Sequence, residues 1–256
     1  MPRPVAVTRG GRLLVFALPA VGIAALLVWS FTGLPSFGHY RGPYGNVVNA
    51  RAVPERHATN AVAAVNFDYR GIDTIGEEFI LFAAVMGVSA LLRLHRAEKE
   101  APSPVDRARA HAAAETPDSV AVICMGLVAP LVLLSLYIVV HGHLTPGGGF
   151  QGGVILASAF LMVYLAGRYV AFRQISPKGL LDAGEGLGAG GFVVVGFVGM
   201  LAGAAFLENV LPFGQTGKVF SAGTLPIINL SVGLEVGTGL LLVMWEFLEQ
   251  ALMVRP

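Results

Sequence analysis

Residues 141–153 of the chain read His-Gly-His-Leu-Thr-Pro-Gly-Gly-Gly-Phe-Gln-Gly-Gly. They separate two apolar runs, residues 120–140 and 154–170, and each run is about as long as a helix that crosses a membrane. The consecutive glycines within the stretch leave the backbone uncovered by side chains. Because bare backbone near lipid is tolerated only when it is buried in protein or lines a wet cavity, we expect this turn to pack against other parts of a bundle or to face an ion path.

The composition is that of an integral membrane protein. Hydrophobic residues make up 55% of the chain and charged residues only 13%, whereas soluble domains carry about 25% charged residues. The formal net charge of +1 gives no electrostatic support for nucleic-acid binding. The single cysteine, Cys124, excludes a disulfide within the chain and a thiolate metal cluster.

The apolar runs predict an all-α, polytopic membrane helix bundle of about six transmembrane helices. The predicted spans are residues 13–32, 74–94, 120–140, 149–172, 186–207 and 225–252. Lys and Arg are more numerous in the segments that lie inside when the N-terminus is inside, so both termini are predicted to be cytoplasmic. The basic head before the first run also fits a signal peptide, but the length of the run and the lack of a convincing cleavage site favour an uncleaved helix.

Residues 141–168 resemble the signature of the B subunit of the Mrp-type multisubunit cation/proton antiporter, the MnhB-related family, and the resemblance is looser from Ser119 to the C-terminus. The residues that match the structural signature are Pro146, Gly147, Gly148, Gly149, Phe150, Gly152 and Gly153. The resemblance implies a membrane subunit without a catalytic site of its own. Its expected partners are the other membrane subunits of an antiporter complex, including complex I-like large subunits, with Na+ and protons as the transported ions.

A second resemblance precedes the first. The run Asp-Tyr-Arg-Gly-Ile-Asp-Thr-Ile-Gly-Glu, residues 68–77, is followed by an apolar helix. It resembles a two-helix module of the antiporter's large A subunit, or the separate E subunit of membrane-bound hydrogenases. We therefore expect an E-like module over residues 1–100, a charged linker over 101–117 and a four-helix MnhB-like module over 118–256. Because this segment usually belongs to the large subunit of antiporters, its fusion here favours the hydrogenase-type alternative somewhat.

Glu235 lies near the middle of the last apolar run, where a charge costs about 2.5–3.5 kcal/mol by insertion scales. Ser231 and Thr238 share its helix face by their spacing. Gly233 and Gly237 form a G-x-x-x-G stripe that would let another helix approach closely. Two roles remain open for Glu235. It is either a proton- or cation-handling carboxylate that faces the bundle interior, or a protonated, hydrogen-bonded glutamate that only joins helices.

Acidic residues also occur at the start of the second predicted span. The motif resemblance favours Glu77, with Asp73 before it, as part of a cation path. The alternative for Glu77 and its neighbour Glu78 is that they complement the dipole at the helix N-terminus. Asp68, Arg70 and Asp73 are expected to form a local ion-pair turn.

His141 and His143 are predicted either to handle protons, because imidazole titrates near physiological pH, or to hydrogen-bond the glycine turn. Two histidines spaced by one residue do not make a metal site without converging acids or thiols, so we predict neither a metal nor a cofactor. Pro146 is expected in the first turn of the following helix, and Phe150 is expected to wedge the turn against a neighbour. The G-x-G-x-x-G pattern of residues 186–191 is interpreted as helix packing, since no strand precedes it.

Three functions follow as hypotheses. The chain contributes to the cation pathway or the scaffold of a Mrp-like monovalent-cation (Na+)/proton antiporter; or it is the equivalent subunit of an ion-pumping membrane-bound hydrogenase or other redox complex; or it is a purely structural helix bundle. All three place a multi-pass protein in the lipid bilayer of a cell membrane, expected to be a prokaryotic plasma membrane.

Overall fold

The structure, a computed structural model, describes residues 9–34, 42–92 and 116–253. All regular structure in these ranges is helical, so the predicted all-α fold is confirmed. The long helices are α1 (Arg9–Thr32), α2 (Pro43–Arg56), α4 (Gly71–Leu92), α5 (Asp118–Val140), α6 (Gly149–Ile175), α7 (Lys178–Leu201) and α8 (Leu225–Met253). A four-residue helix, α3 (Ala61–Ala64), and a π-helical turn (Val65–Tyr69) lead into α4.

Helices α4 to α8 are each long and apolar enough to cross a membrane, judged over the described residues. Helix α1 has a shorter apolar segment, Phe16–Thr32, near the lower limit of about 17 residues for a span. The predicted multi-pass bundle is confirmed. The cytoplasmic placement of both termini stays a prediction.

The chain divides into two compact units, residues 1–45 and 46–256. In the first unit, α1 exposes bulky apolar side chains such as Phe16 and Trp29 along its length. Such a surface is suited to lipid or to another membrane protein. The second unit contains α3 to α8 and every candidate site residue.

Helix α8 is the centre of the second unit. It packs against α4, α5, α6 and α7, and a larger share of it is buried than of any other candidate span in the described chain. Ile228, Val232 and Val236 belong to one apolar cluster and Leu242 to a second, so α8 joins both clusters. Side chains carried by α8 therefore lie inside the bundle and away from lipid.

Facing glycines allow α6 and α8 to approach closely. A Cβ atom on Gly149 would lie 2.8 Å from the backbone N of Gly233, and one on Gly153 would lie 2.8 Å from the backbone N of Gly237. Both distances are too short for any side chain. The predicted close approach of a helix along the Gly233 and Gly237 stripe is confirmed.

The predicted boundaries of the third span of the MnhB-like module, residues 186–207, are wrong at both ends. Helix α7 begins at Lys178, after Pro177, so the glycine-rich part lies within the helix, and Gly184, Gly188 and Gly191 pack against α8. The helix ends at Leu201, since Gly203 adopts a left-handed φ of +80° and its backbone N–H donates to the carbonyl of Met200. Such a glycine is a common helix terminator.

The segment before α4 is more ordered than expected from its polar composition. Residues 34–73 are polar and rich in Gly, Asn and Arg, yet the described part of this segment contains α2, α3 and the π-helical turn. The expected ion-pair turn is also only partly right: Arg70 pairs with Asp73, but Asp68 binds Arg56 at 2.7 Å. The Asp68 carboxylate turns to the end of α2, where Glu55 also accepts a hydrogen bond from the Tyr69 hydroxyl. Of the predicted linker, only residues 116–117 are among the described residues.

Candidate ion-handling site

The turn at residues 141–148 is held by two asparagines. The backbone N–H of Gly149 donates to Asn229 Oδ1 at 2.8 Å. Asn60 Nδ2 donates to the carbonyls of Gly142 at 2.7 Å and Thr145 at 3.0 Å. The turn is therefore packed against α8 and the start of α3. Packing against other parts of the bundle is one of the two arrangements expected for its bare backbone. Sequence reasoning missed both asparagines, although a single Asn inside an apolar run, as at 229, is itself a signal.

The consecutive glycines are required by the backbone of this turn. Gly147 and Gly148 have φ values of +130° and +147°, which side-chain-bearing residues rarely adopt. A Cβ atom on Gly147 would also lie 2.8 Å from Ile138 Cγ2. The chain can thus turn back sharply into α6 only with glycine at these positions.

Two expectations for the signature residues are corrected. Pro146 lies before the helix, since α6 begins at Gly149 with Gly148 as its N-cap. Phe150 is 50% exposed, so it does not wedge the turn into the described part of the chain. Gly152, in contrast, fits tightly against α5, and Ser135 Oγ donates to its carbonyl at 2.8 Å.

His143 is fully buried in the turn. Its Nε2 lies 3.5 Å from the carbonyl O of Lys218, a long hydrogen bond in which the ring N–H donates, and its Nδ1 has no partner in the described chain. Burial lowers the pKa of His143 below its ordinary value. The ring is therefore suited to hold the turn as a neutral donor at physiological pH.

His141 is half-buried. Its ring stacks on Tyr137 with ring centroids 4.3 Å apart, and its Nδ1 lies 3.0 Å from the Tyr137 carbonyl. The two histidines thus have different partners, His141 stacking on Tyr137 and His143 bonding to the Lys218 carbonyl. Among the described residues, no group of three or more His, Cys, Asp or Glu is arranged to hold a metal ion.

The acids at the start of α4 face different surroundings. Asp73 and Glu77 are exposed on the surface of this chain, and Asp73 pairs with Arg70. Glu78, the neighbour that the motif resemblance does not favour, is only 5% exposed, and its Oε2 has no hydrogen-bond partner in the described residues. Of these acids, Glu78 is therefore the one directed into the bundle.

Glu235 is completely buried at the centre of α8. Neither carboxylate oxygen has a hydrogen-bond partner in the part of the chain that the structure describes. Thr238, on the same face, donates its hydroxyl to the Leu234 carbonyl at 2.6 Å. The structure therefore does not show the hydrogen bonds to Glu235 that a purely joining role would lead us to expect.

The same face of α8 packs on glycines of α7. A Cβ atom on Gly188 would lie 2.5 Å from the backbone N of Glu235, and one on Gly191 would lie 2.6 Å from Ser231 Oγ. A Cβ atom on Gly184 would likewise press on Thr238. The predicted common face of Ser231, Glu235 and Thr238 is confirmed, and it is the face that meets α7.

Two further buried acids lie near Glu235. Glu78 from α4 and Glu185 from α7 are close enough to interact with it electrostatically. Glu185 is 2% exposed, and its Oε1 has no partner in the described chain. Sequence reasoning missed Glu185 because it lies beside a glycine-rich run. It also lies one residue outside the predicted span of residues 186–207, and only the earlier start of α7 at Lys178 places it seven residues inside the helix.

An ion pair with one buried partner lies farther along α8. Lys178 Nζ contacts the carboxylate of Glu246, which is almost wholly buried, and lies 5.0 Å from the ring centroid of Trp245. Glu246 follows Glu235 by eleven residues, close to three helical turns, so both acids lie on one face of α8. The spacing of eleven residues is visible in the sequence, and it places Glu246 on the helix face of Glu235.

Comparisons with known proteins agree with both resemblances. The family model described as a domain related to the MnhB subunit of Na+/H+ antiporter matches residues 119–242, and the model of the E subunit of MBH matches residues 12–109. An uncharacterized protein of Methanocaldococcus jannaschii is 33% identical over 198 residues, which are 71% of this chain and 74% of that protein. The chain belongs to the MnhB-related family. The B subunit of the Na(+)/H(+) antiporter of Bacillus subtilis is 34% identical over 110 residues, 41% of this chain and 75% of that protein.

Two solved structures share the fold of this MnhB-related chain. A chain of the membrane-bound sulfane sulfur reductase, an archaeal respiratory membrane complex, matches with a TM-score of 0.69 and 32% identity, over 93% of this chain and 98% of that one. A chain of the Mrp complex from Dietzia sp. matches with a TM-score of 0.68 and 26% identity, over 94% of this chain and 26% of that one. The MnhB-related chain is thus a multi-pass cell-membrane protein of the kind found in Mrp-type multisubunit complexes.

Proposed function

We propose that this chain is a membrane subunit of a Mrp-like monovalent-cation/proton antiporter and that its buried carboxylates belong to the ion path. The observation that carries the proposal is Glu235, which is fully buried with both carboxylate oxygens unpartnered in the described chain. Buried polar groups are normally hydrogen-bonded, and an ionisable residue inside a membrane bundle marks an ion or proton pathway by default. A scaffold alone gives no reason to retain such a costly group.

The proposed partners are other membrane subunits, including complex I-like large subunits, and the proposed transported ions are Na+ and protons. The antiporter relative in Bacillus subtilis and the match to the Mrp complex support this assignment. We propose that the chain acts without a catalytic site of its own, embedded in the lipid bilayer. The large subunits would then supply the principal proton channels.

The remaining candidates take positions around this path. Asp73 and Glu77 are exposed in this chain, so we propose that they act where a neighbouring subunit covers the start of α4. His143 has a donor role toward the Lys218 carbonyl, and His141 stacks on Tyr137. We propose that both histidines hold the glycine turn, with proton handling as their alternative role.

The test is proton movement in everted vesicles that carry the whole complex. A pulse of Na+ or K+ without an electron donor is expected to move protons in the wild type. The movement should be lost when this subunit is deleted and restored when it is supplied again. Proton movement that is the same with and without the subunit would contradict the proposal.

A second function is a subunit of a redox-driven ion pump. It is favoured by the sulfane sulfur reductase match, because this chain covers 98% of that chain but only 26% of the matched chain of the Mrp complex. Purification of the complex followed by mass spectrometry separates the two functions. Copurifying redox subunits, together with proton movement that requires an electron donor, would favour the second function.

A further inference from the structure

We propose that Glu78, Glu235 and Glu185 form a proton relay through this subunit, directed from its turn side toward the Lys178–Glu246 pair. The turn side is the side of the bundle that holds the 141–148 turn and the 202–224 loop. The proposal deepens the proposed function, on which it rests, by naming the ion that these carboxylates carry. Sequence reasoning and the family resemblance single out neither Glu78 nor Glu185 for such a role.

The ends of the helices fix the direction of the relay. The start of α4 lies on the turn side, because a Cβ atom on Gly71 would lie 3.5 Å from Leu207 Cδ1 in the 202–224 loop. Helix α8 also starts there, since Asn229 binds the glycine turn. Helix α7 runs the other way, as it leads into the same loop from Lys178.

Contacts between the helices give the depth of each acid. A Cβ atom on Gly239 of α8 would lie 3.2 Å from Val85 Cγ2 of α4 and 3.8 Å from Glu185 Oε1 of α7. These groups therefore share one depth. Glu235 precedes Gly239 by four residues and Glu78 precedes Val85 by seven, so at about 1.5 Å per residue they lie about 6 Å and about 10 Å closer to the turn side.

The acids are thus stacked in depth in the order Glu78, Glu235, Glu185. Successive groups are separated in depth by about 4–6 Å, from the rise of the helices. Lys178 and Glu246 lie about 10 Å beyond Glu185 by the same measure. Glu246 is buried and Lys178 is half-buried, and Lys178 Nζ lies over the ring of Trp245, whose Nε1 has no partner in the described chain. A stack of this kind leads through the bundle and does not close around one point.

The stacked arrangement favours protons over a bound metal cation. Among the described residues, no three acids are arranged to hold a metal ion together, although the charges of Glu78 and Glu185 act on Glu235. Carboxyl groups at successive depths of a bundle can pass protons from one to the next through intervening waters. In each step one carboxyl group releases a proton and the next carboxylate takes it up, so one proton and one charge move and the first carboxylate is restored.

The unpartnered carboxylate oxygens support the proton relay independently of how the three acids are stacked. Glu235 has two buried oxygens without a hydrogen-bond partner in the described chain, and Glu78 and Glu185 have one each. The other acids of α4 and α7, which are Asp73, Glu77 and Asp182, are exposed. Only the three relay acids therefore present free carboxylate oxygens to the interior of this part of the bundle.

The test uses Glu185→Gln in the whole complex, with Asp182→Asn as the matched control. Both changes remove one acid from α7, but Asp182 is exposed. In everted vesicles, Glu185→Gln is expected to lower cation-driven proton movement at least about tenfold, as for the loss of a proton-transfer group, while the half-saturating cation concentration stays unchanged. Asp182→Asn should keep the wild-type rate. A wild-type rate in Glu185→Gln, or only a raised half-saturating cation concentration, would overturn the relay.

Assembly is checked on a native gel. If Glu185→Gln does not assemble, Glu78→Gln provides the same test at the other end of the relay. Failure of both variants to assemble would assign the acids a packing role and overturn the proposal.

Failure of the relay and failure of the proposed function are distinguishable. If Glu235→Gln abolishes exchange while Glu185→Gln does not, the antiport function stands and the relay is wrong. If the wild-type complex moves no protons after a cation pulse, the antiport function is wrong. The relay variants are then compared in vesicles energised with a respiratory substrate, with the same expected loss for Glu185→Gln.

Discussion

Individual polar side chains determine how the glycine-rich turn is buried. Asn229 accepts the Gly149 N–H, and Asn60 binds two carbonyls of the turn. A buried backbone group left without a partner costs about 1–3 kcal/mol. These two side chains therefore stabilise a turn that has no side chains of its own to cover its backbone.

His143 makes the stability of this turn depend on pH. Burial lowers the pKa of His143 in the folded state. In the unfolded chain His143 takes up a proton near pH 6.5, whereas in the folded chain it is still neutral at that pH. Stability is therefore lost as the pH falls below the unfolded value. We expect the thermal midpoint of the purified complex to fall less between about pH 7.5 and about pH 5.5 in His143→Gln than in the wild type. An equal fall in both proteins would contradict this role.

At the scale of helices, glycine packing sets the position of α8. Gly149 and Gly153 of α6 meet one side of α8, and Gly188 and Gly191 of α7 meet another. Without side chains between them, the helix backbones come into direct contact. The polar groups of α8 are thereby held between neighbouring helices.

Gly188 and Gly186 of α7 form a matched pair for this packing. A Cβ atom on Gly188 would lie 2.5 Å from the backbone N of Glu235, whereas one on Gly186 would meet no atom within 4 Å. We expect Gly188→Ala to destabilise the complex by about 1–3 kcal/mol, because the helices must separate. Gly186→Ala should be neutral or stabilising by up to about 1 kcal/mol through helix propensity. Thermal unfolding in detergent measures both, and equal shifts would contradict the packing.

The sequence was most informative about elements with strong apolar runs. It predicted α5, α6 and α8 closely because lipid exposure requires long apolar helices. It missed the true start of α7, since glycines that pack a helix resemble glycines that end one. It also missed α2, whose polar composition resembles that of a loop.

At the scale of the whole molecule, the site depends on contacts that no local pattern contains. Glu78, Glu185 and Glu235 come from three helices far apart in the chain, and only the packing of α4 and α7 on α8 brings them together. The sequence identified Glu235 because a charge in the middle of an apolar run stands out. The motif resemblance favoured Glu77 over Glu78. The burial of Glu78 could not be predicted, because the rotation of α4 that buries Glu78 and exposes Glu77 is fixed by the neighbouring helices.

The central claim is that buried carboxylates of this subunit carry ions, and Glu235→Gln tests it most directly. The variant keeps the size of the side chain but cannot exchange a proton. Glu208→Gln, which changes an exposed acid of the 202–224 loop, is the matched control. Cation-driven proton movement is measured in everted vesicles, with assembly followed on a native gel.

We expect Glu235→Gln to lower the rate at least about tenfold in a fully assembled complex, with Glu208→Gln at the wild-type rate. A wild-type rate in assembled Glu235→Gln complexes would contradict the claim and would assign the chain a structural role.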